Sequence, residues 1–254
     1  SQSPVFRRQW SSTYAALHDS RLPQAKLLGQ LAAQVETDKQ PILAGDRTLW
    51  PRQDAKTLRE RTFEGGSGSD PVLGHSYSTL AWIPEEQGSW ALPLRQERIS
   101  SFETPGKRAA FQLRQVVRQL GVRPLALYDR GYGNAQFVTL TDGIETDLLL
   151  RLASNRVLYG APPAYSGRGA PRKHGVKFKL NDPTAWPDAD ETITVEDLEY
   201  GQLQVMRWSN FHFKSSSSRA MEIIRVEVVT PVGQKRKFQP LWLAWLGQAM
   251  PELK

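Results

Sequence analysis

Residues 124–137 read PLALYDRGYGNAQF. The apolar run stops at Asp129, and Arg130, Gly131, Gly133 and Asn134 follow within five positions. A short apolar run bounded by turn residues is the pattern of a strand covered on both faces. Such a strand ends on a carboxylate for one of two reasons. Asp is a common turn former and helix N-cap. Alternatively, the strand is a rigid element that aims an acid at a ligand, since open α/β sheets bind ligands at the carboxyl ends of their strands.

The pattern occurs once more upstream. In KQPILAGD a short apolar run closes on Asp46, and Arg47 follows. If the two strands are parallel neighbours, both carboxylates emerge at one sheet edge. Like charges there repel unless a cation sits between them. Hard oxygen donors select Mg²⁺ or Mn²⁺. Metal ions held in such a place activate water and stabilise the leaving oxygen of a phosphodiester. Asp46 and Asp129 are therefore the candidate catalytic and metal-binding residues.

The flanking sequence predicts the frame around them. Residues 4–37 space their apolar residues at helical period, with Pro23 placed to open a second helix. Residues 47–70, RTLWPRQDAKTLRERTFEGGSGSD, are polar and end Gly/Ser-rich, which predicts a surface excursion. HSYSTLAWIPE and GSWALPLRQERI predict a β-hairpin. TPGKRAAFQLRQVVRQLG predicts a helix stopped by Gly121. A strand (RPLALYD), a short helix (GYGNAQFVTLTDG) and a further strand (TDLLLRLA) follow. This order is that of an α/β fold with a mixed sheet. After residue 155 the pattern becomes strand-like, with Gly, Pro, Asn, Asp and an SSSS tract between the runs and no helix predicted over 155–240. The expected organisation is a helical segment at 1–40, an α/β core at 41–154, a β-rich insertion at 155–240 and a return to the core at 241–254.

Composition narrows the partner. The chain of 254 residues carries a net charge of +7 and is 39% hydrophobic, enough for a sizeable core. The positive excess favours a polyanion, nucleic acid before a membrane surface. Cations crowd into RLASNRVLYGAPPAYSGRGAPRKHGVKFK, where Arg151, Asn155, Arg156, Arg168, Arg172, Lys173, Lys177 and Lys179 are the candidate DNA-phosphate contacts. Tyr159 and Tyr165 are placed to lie against sugar or an unstacked base. The competing reading is a solvated basic loop. The QKRK stretch at 234–237 reads either way.

Several chemistries fall away. The absence of cysteine excludes disulfides, thiolate zinc sites and cysteine nucleophiles, and fits a reducing cytoplasm. No apolar run approaches the ~20 residues of a membrane span, and SQSPVFRRQW lacks the apolar core of a signal peptide. His18, His75, His174 and His212 are scattered without metal-motif spacing, so zinc is not expected. The serines have no partnered His and Asp in motif context. Trp82, Trp90, Trp242 and Trp245 read as core packing.

Taken together, ILAGDRTLW, GHSYSTLAWIPEEQGSWALPLRQERI, LALYDRGYGNAQF, RLASNRVLYGAPPAY, KFKLNDPTAW and QPLWLAWLG resemble bacterial insertion-sequence transposases of the DDE class. The resemblance runs from about residue 4 to the end. It implies a ribonuclease H-like core with flanking helices and a β-rich insertion before the last catalytic helix. It matches Asp46 and Asp129 to the first two catalytic acids, with Mg²⁺ or Mn²⁺ as cofactor. It further implies double-stranded DNA (element ends and target) as partner, a homodimer on DNA, no membrane, and a cytoplasmic, nucleoid-associated protein. The activity implied is strand cleavage followed by strand transfer. A truncated or domesticated transposase acting only as a DNA-binding module, or a nuclease of the same fold, are the alternatives. The family's third acid lies on a Tyr/Arg-rich helix after the insertion. QAMPELK does not match that segment, which places the third acid beyond residue 254. Glu252 is not expected to replace it, and Glu222 and Glu227 are expected to point outward from a strand.

Overall fold

Three parallel strands form the centre, because each carries apolar residues that a sheet interior can cover. They are β1 (Ile42–Pro51), β5 (Leu125–Tyr128) and β6 (Asp147–Leu152). The computed structural model describes residues 12, 15–16, 19–20, 23–57, 59–64, 72–85, 88, 90–230 and 238–249. β1 pairs with β5 from Ile42–Leu125 to Gly45–Tyr128, and β5 pairs with β6 from Leu125–Asp147 to Tyr128–Leu150. Leu43, Ala126, Leu148 and Leu150, on one face of this trio, are fully buried.

β3 (Val72–Ile83) runs antiparallel to β1. Its far edge is shared end to end by β2 (Thr62–Glu64) and β4 (Leu92–Arg98). The resulting order, β4–β3–β1–β5–β6, is an α/β fold with the mixed sheet of a ribonuclease H-like core, as the sequence predicts.

Helices α1 (Gln24–Ala32), α2 (Pro105–Leu120) and α3 (Ala135–Leu140) complete the core. In α2 the Thr104 hydroxyl accepts the Lys107 N–H at 3.3 Å, Pro105 occupies the first turn, and Gly121 ends the helix in the left-handed region. Its apolar stripe, Ala109, Leu113, Val116 and Val117, is buried in the main hydrophobic cluster with Leu43, Leu80 and Tyr128. One polar residue enters this layer with its partners supplied. Gln112 is fully buried, accepts from the Ser78 hydroxyl at 2.6 Å and donates to the Ser78 carbonyl at 3.0 Å.

The second half is built from antiparallel strands. β12 (Leu241–Leu246) pairs with β6, β11 (Ser216–Thr230) with β12, and β10 (Gly201–Phe213) with β11. β10 also takes β9 (Glu191–Asp197) and β7 (Val157–Tyr159), and β7 takes β8 (Lys177–Lys179). Among the described residues of 155–240 the only helical turn is a 3₁₀ turn at Pro183–Ala185. Phe178, Trp208 and Trp242 close this region with ring centroids 5.0–5.8 Å apart. Each such pair is worth about 1 kcal/mol beyond its buried area. Two indole N–H groups here are satisfied: Trp208 donates to the Pro187 carbonyl and Trp186 to the Lys179 carbonyl, each at 2.9 Å.

Four expectations change. β1 does not stop at Asp46 but continues to Pro51, because β3 supplies an antiparallel partner for every residue as far as Gly74. The expected surface excursion at 47–70 therefore begins as strand and also contains β2. Part of the SSSS tract belongs to β11, with Ser216 buried. Trp90 precedes β4 and is 55% exposed, whereas Trp82, Trp242 and Trp245 are core residues. Separately, two histidines that are far apart in the sequence meet in the fold. His174 Nδ1 and His212 Nε2 lie 3.0 Å apart and share one hydrogen. His18, most of the first expected helix, the QKRK stretch and Glu252 lie outside the described residues.

His212 is buried, and burial together with His174 holds its pKa below the ordinary histidine value. Its neutral form is thus favoured in the folded chain. The stability this contributes is complete above the unfolded value of about 6.5 and is lost as pH falls below it. Thermal melts should show the midpoint falling on acidification from about pH 7 to 5.5, and His212→Gln should flatten that part of the slope.

Candidate active site

The two parallel pairings fix where the acids stand. The last β1–β5 pair is Gly45–Tyr128, so Asp46 and Asp129 occupy the next level of neighbouring strands. The last β5–β6 pair is Tyr128–Leu150, which puts Arg151 at that same level one strand further on. Side chains opposite one another in a ladder share a face. Asp46, Asp129 and Arg151 therefore line one lip of the sheet on one face, and all three are exposed.

The glycines make this arrangement possible. A Cβ on Gly45 would lie 2.0 Å from the Tyr128 ring, which packs flat over the strand just before Asp46. A Cβ on Gly133 would lie 2.2 Å from the Arg151 carbonyl, so the turn after Asp129 passes directly against β6. Asp129 Oδ1 accepts the Gly131 N–H at 2.9 Å, which fixes its carboxylate and leaves Oδ2 without a partner among the described residues. Asn134 then caps α3, accepting from Phe137 N at 3.1 Å and donating to the Gly131 carbonyl at 2.9 Å. Asp129 thus forms the turn, as one of its two sequence readings expects, and the turn holds its carboxylate at the lip.

Beneath the acids is a packed aromatic layer. Tyr128, Tyr132 and Phe137 have centroids 4.7–5.1 Å apart. The Tyr132 hydroxyl is buried, lies within electrostatic reach of Asp46, Asp129 and Ser78, and makes no well-directed hydrogen bond among the described residues. Burial, with the two carboxylates adding to it, pushes its pKa well above the ordinary tyrosine range. The phenol therefore stays protonated, a donor held ready beside two acids.

The opposite edge of the same strands shows what a structural aspartate looks like here. Asp147, at the start of β6, is buried and fully partnered. It accepts from Arg123 at 2.6 Å, Gln40 at 2.9 Å and Gln248 N at 3.2 Å. Asp46 and Asp129 have no ion-pair partner among the described residues. Among the described residues no third His, Cys, Asp or Glu joins them there. Glu222 shares their sheet face, but β6 and β12 stand between its strand and β5, roughly 14 Å of strand spacing. Burial raises its pKa, and its nearest cation is Arg207 at 3.8 Å. Glu227 pairs with Arg225 at 2.7 Å.

The expected phosphate contacts separate into groups. Arg151 and Asn155 line a cleft of about 640 Å³ beside the acids, together with Arg130, Asn181, Arg225 and Trp242. Arg168, Arg172, Lys173 and Lys177 are exposed on the segment that leads into β8 and on its first residue. Arg156 is half-buried, and Lys179 is tied to Asp182 at 3.2 Å. Tyr165 is exposed, but the Tyr159 ring packs on His174 at 5.0 Å. Sequence reasoning missed Arg130 and Arg225. Arg130 is the residue after Asp129, and its adjacency was the available signal. Arg225 interrupts the apolar run of β11, is buried, and stacks on Trp186 at 4.9 Å.

A family model described as DDE superfamily endonuclease matches residues 5–212. The chain belongs to this family. No curated protein matches it at a significant level. DDE superfamily endonucleases are nuclease- and transposase-type enzymes, which implies DNA as the substrate class, and they generally use divalent metals. Among the described residues no helix is long and apolar enough to cross a membrane.

Filling the space above Tyr128 or against β6 disturbs the lip directly. Gly45→Ala and Gly133→Ala are each expected to lower unfolding free energy by about 2 kcal/mol, within the range for overpacking. Denaturant titration measures this, with Gly143→Ala, which meets no neighbouring atom within 4 Å, as a comparison for backbone strain alone.

Proposed function

We propose that this DDE endonuclease cleaves DNA strands at the lip formed by Asp46, Asp129 and Arg151, and that cleavage serves strand transfer of an insertion element. The observation that carries the reading is the placement, at one level of adjacent parallel strands, of two carboxylates with no ion-pair partner among the described residues. The donor set fits Mg²⁺ or Mn²⁺: two hard carboxylates, one pinned by Gly131, with a buried phenol O–H lacking an acceptor beside them. Mg²⁺ commonly uses one or two carboxylates and keeps several waters. When bound, the divalent ion supplies Lewis acidity and lowers the pKa of water for phosphodiester hydrolysis.

The chain's own groups do the rest. Asp46 and Asp129 hold the ion, and their mutual repulsion is relieved by it. Arg151, level with them, receives the scissile phosphate and offsets its charge. Arg130 and Asn155 in the adjoining cleft steady the flanking backbone, and exposed Arg168, Arg172, Lys173 and Lys177 extend the basic surface to double-stranded DNA. Tyr132 stays neutral and offers a hydrogen bond toward the acids. A homodimer holding paired ends and a third acid beyond residue 254 belong to the same proposal.

Two outcomes test it. Asp46→Ala and Asp129→Ala should drop Mg²⁺- or Mn²⁺-dependent nicking to about one hundredth of wild type or less, and calorimetric Mn²⁺ binding should disappear while duplex affinity holds. Duplex binding that survives with no nicking by the wild-type chain would instead favour a DNA-binding module. Separately, Arg151→Ala should weaken duplex binding evenly across sequences and reduce the salt slope by about one.

A further inference from the structure

The continuation of β1 past Asp46 carries side chains that the acid site does not use. Asp46, Thr48 and Trp50 alternate onto one face of the strand. Opposite them stand Thr79, Tyr77 and His75, and Phe63 on β2 faces Leu73 on that same side. The sheet face that holds Asp46 thus leads onto Tyr77, Trp50 and Phe63. Trp50 is 51% exposed and Phe63 is 73% exposed. Trp50 and Tyr77 have centroids 6.1 Å apart, and the Arg52 guanidinium lies 3.8 Å over the Trp50 ring. Four residue rises separate Trp50 from Asp46, about 13 Å along the strand.

Among the described residues these rings join neither hydrophobic core cluster, and they leave much of their area to water. The charges around them favour an anion. Glu60 is neutralised by Arg98, and Arg52, Lys56 and Arg59 outnumber Asp54. Rings that present a face beside a cation stack on bases, and only unpaired bases offer a free face. A duplex, whose bases already stack on one another, would gain little from them.

The geometry points to a second nucleic-acid site: the Trp50–Tyr77–Phe63 face binds unpaired bases of a single DNA strand leading away from the acid pair. This rests on the DNA-cleaving reading of Asp46 and Asp129 and adds a substrate form to it. Strand separation beside the lip is then favoured, because the released bases find rings on the same face.

Fluorescence anisotropy with a labelled oligo-thymidine of about twelve nucleotides, and with a duplex of equal length, tests this on the whole chain. Trp50→Ala is expected to weaken single-strand binding about ten- to a hundredfold, and Phe63→Ala by a smaller factor. Trp50→Phe should keep most of the affinity, and duplex binding should change less than about threefold. Circular dichroism melts confirm that the exposed substitutions leave the fold intact. Equal single-strand affinity in Trp50→Ala and wild type overturns the inference while leaving the cleavage reading standing. So does a Trp50→Ala loss that is the same for duplex and single strand, or one seen only as a change in oligomeric state by size exclusion. Failure of the wild type to bind either DNA at low salt overturns both readings.

Discussion

The parallel register between β1 and β5 is the constraint on which the rest depends. It is set from below by packing. Leu43 and Ala126 are fully buried side by side, and the Tyr128 ring fills the space over Gly45. Slipping either strand by one residue would turn Tyr128 out of the core and an acid into it. The cost of burying an unpaired carboxylate greatly exceeds that of exposing one. Packing on the covered face thus fixes the acids on the other, without any direct contact between them.

The two ends of the parallel strands divide labour. At one end Asp147 ties residues from the approach to β1, the approach to β5 and the end of β12 into a closed network. At the other, Asp46 and Asp129 are left with charge to spare and Arg151 stands level with them. The same sheet thus carries one aspartate closed into a network and two that have no ion-pair partner among the described residues. The buried Tyr132 hydroxyl, which makes no well-directed hydrogen bond among the described residues, lies beneath the pair.

Much of this was legible in the residues. Helix α2 announced both its ends through Thr104, Pro105 and Gly121, since caps are local chemistry. β5 and β6 were evident as continuous apolar runs, and Asp129 with its glycines was recognisable as an aimed turn. The extension of β1 to Pro51 was not, because RTLWP mixes polar and apolar residues on both faces and becomes strand only by pairing with β3. Trp90 misled because an aromatic near a strand start carries no mark of which side it will face. His174 and His212 are far apart in sequence and adjacent only through the pairing of β10 with β7. Arg225 was hidden for the same reason, its partners Trp186 and Trp242 coming from other segments.

The sequence by itself determined the kinds of element, the sign of the net charge and the turn at Asp129, because periodicity, capping and turn chemistry act over a few residues. The tertiary structure alone decided that the acids share a level and a face, that Arg151 joins them, and that Glu222 stands strands away. The physical reason is that register is settled by packing between strands remote along the chain, and such packing leaves no local trace in either strand.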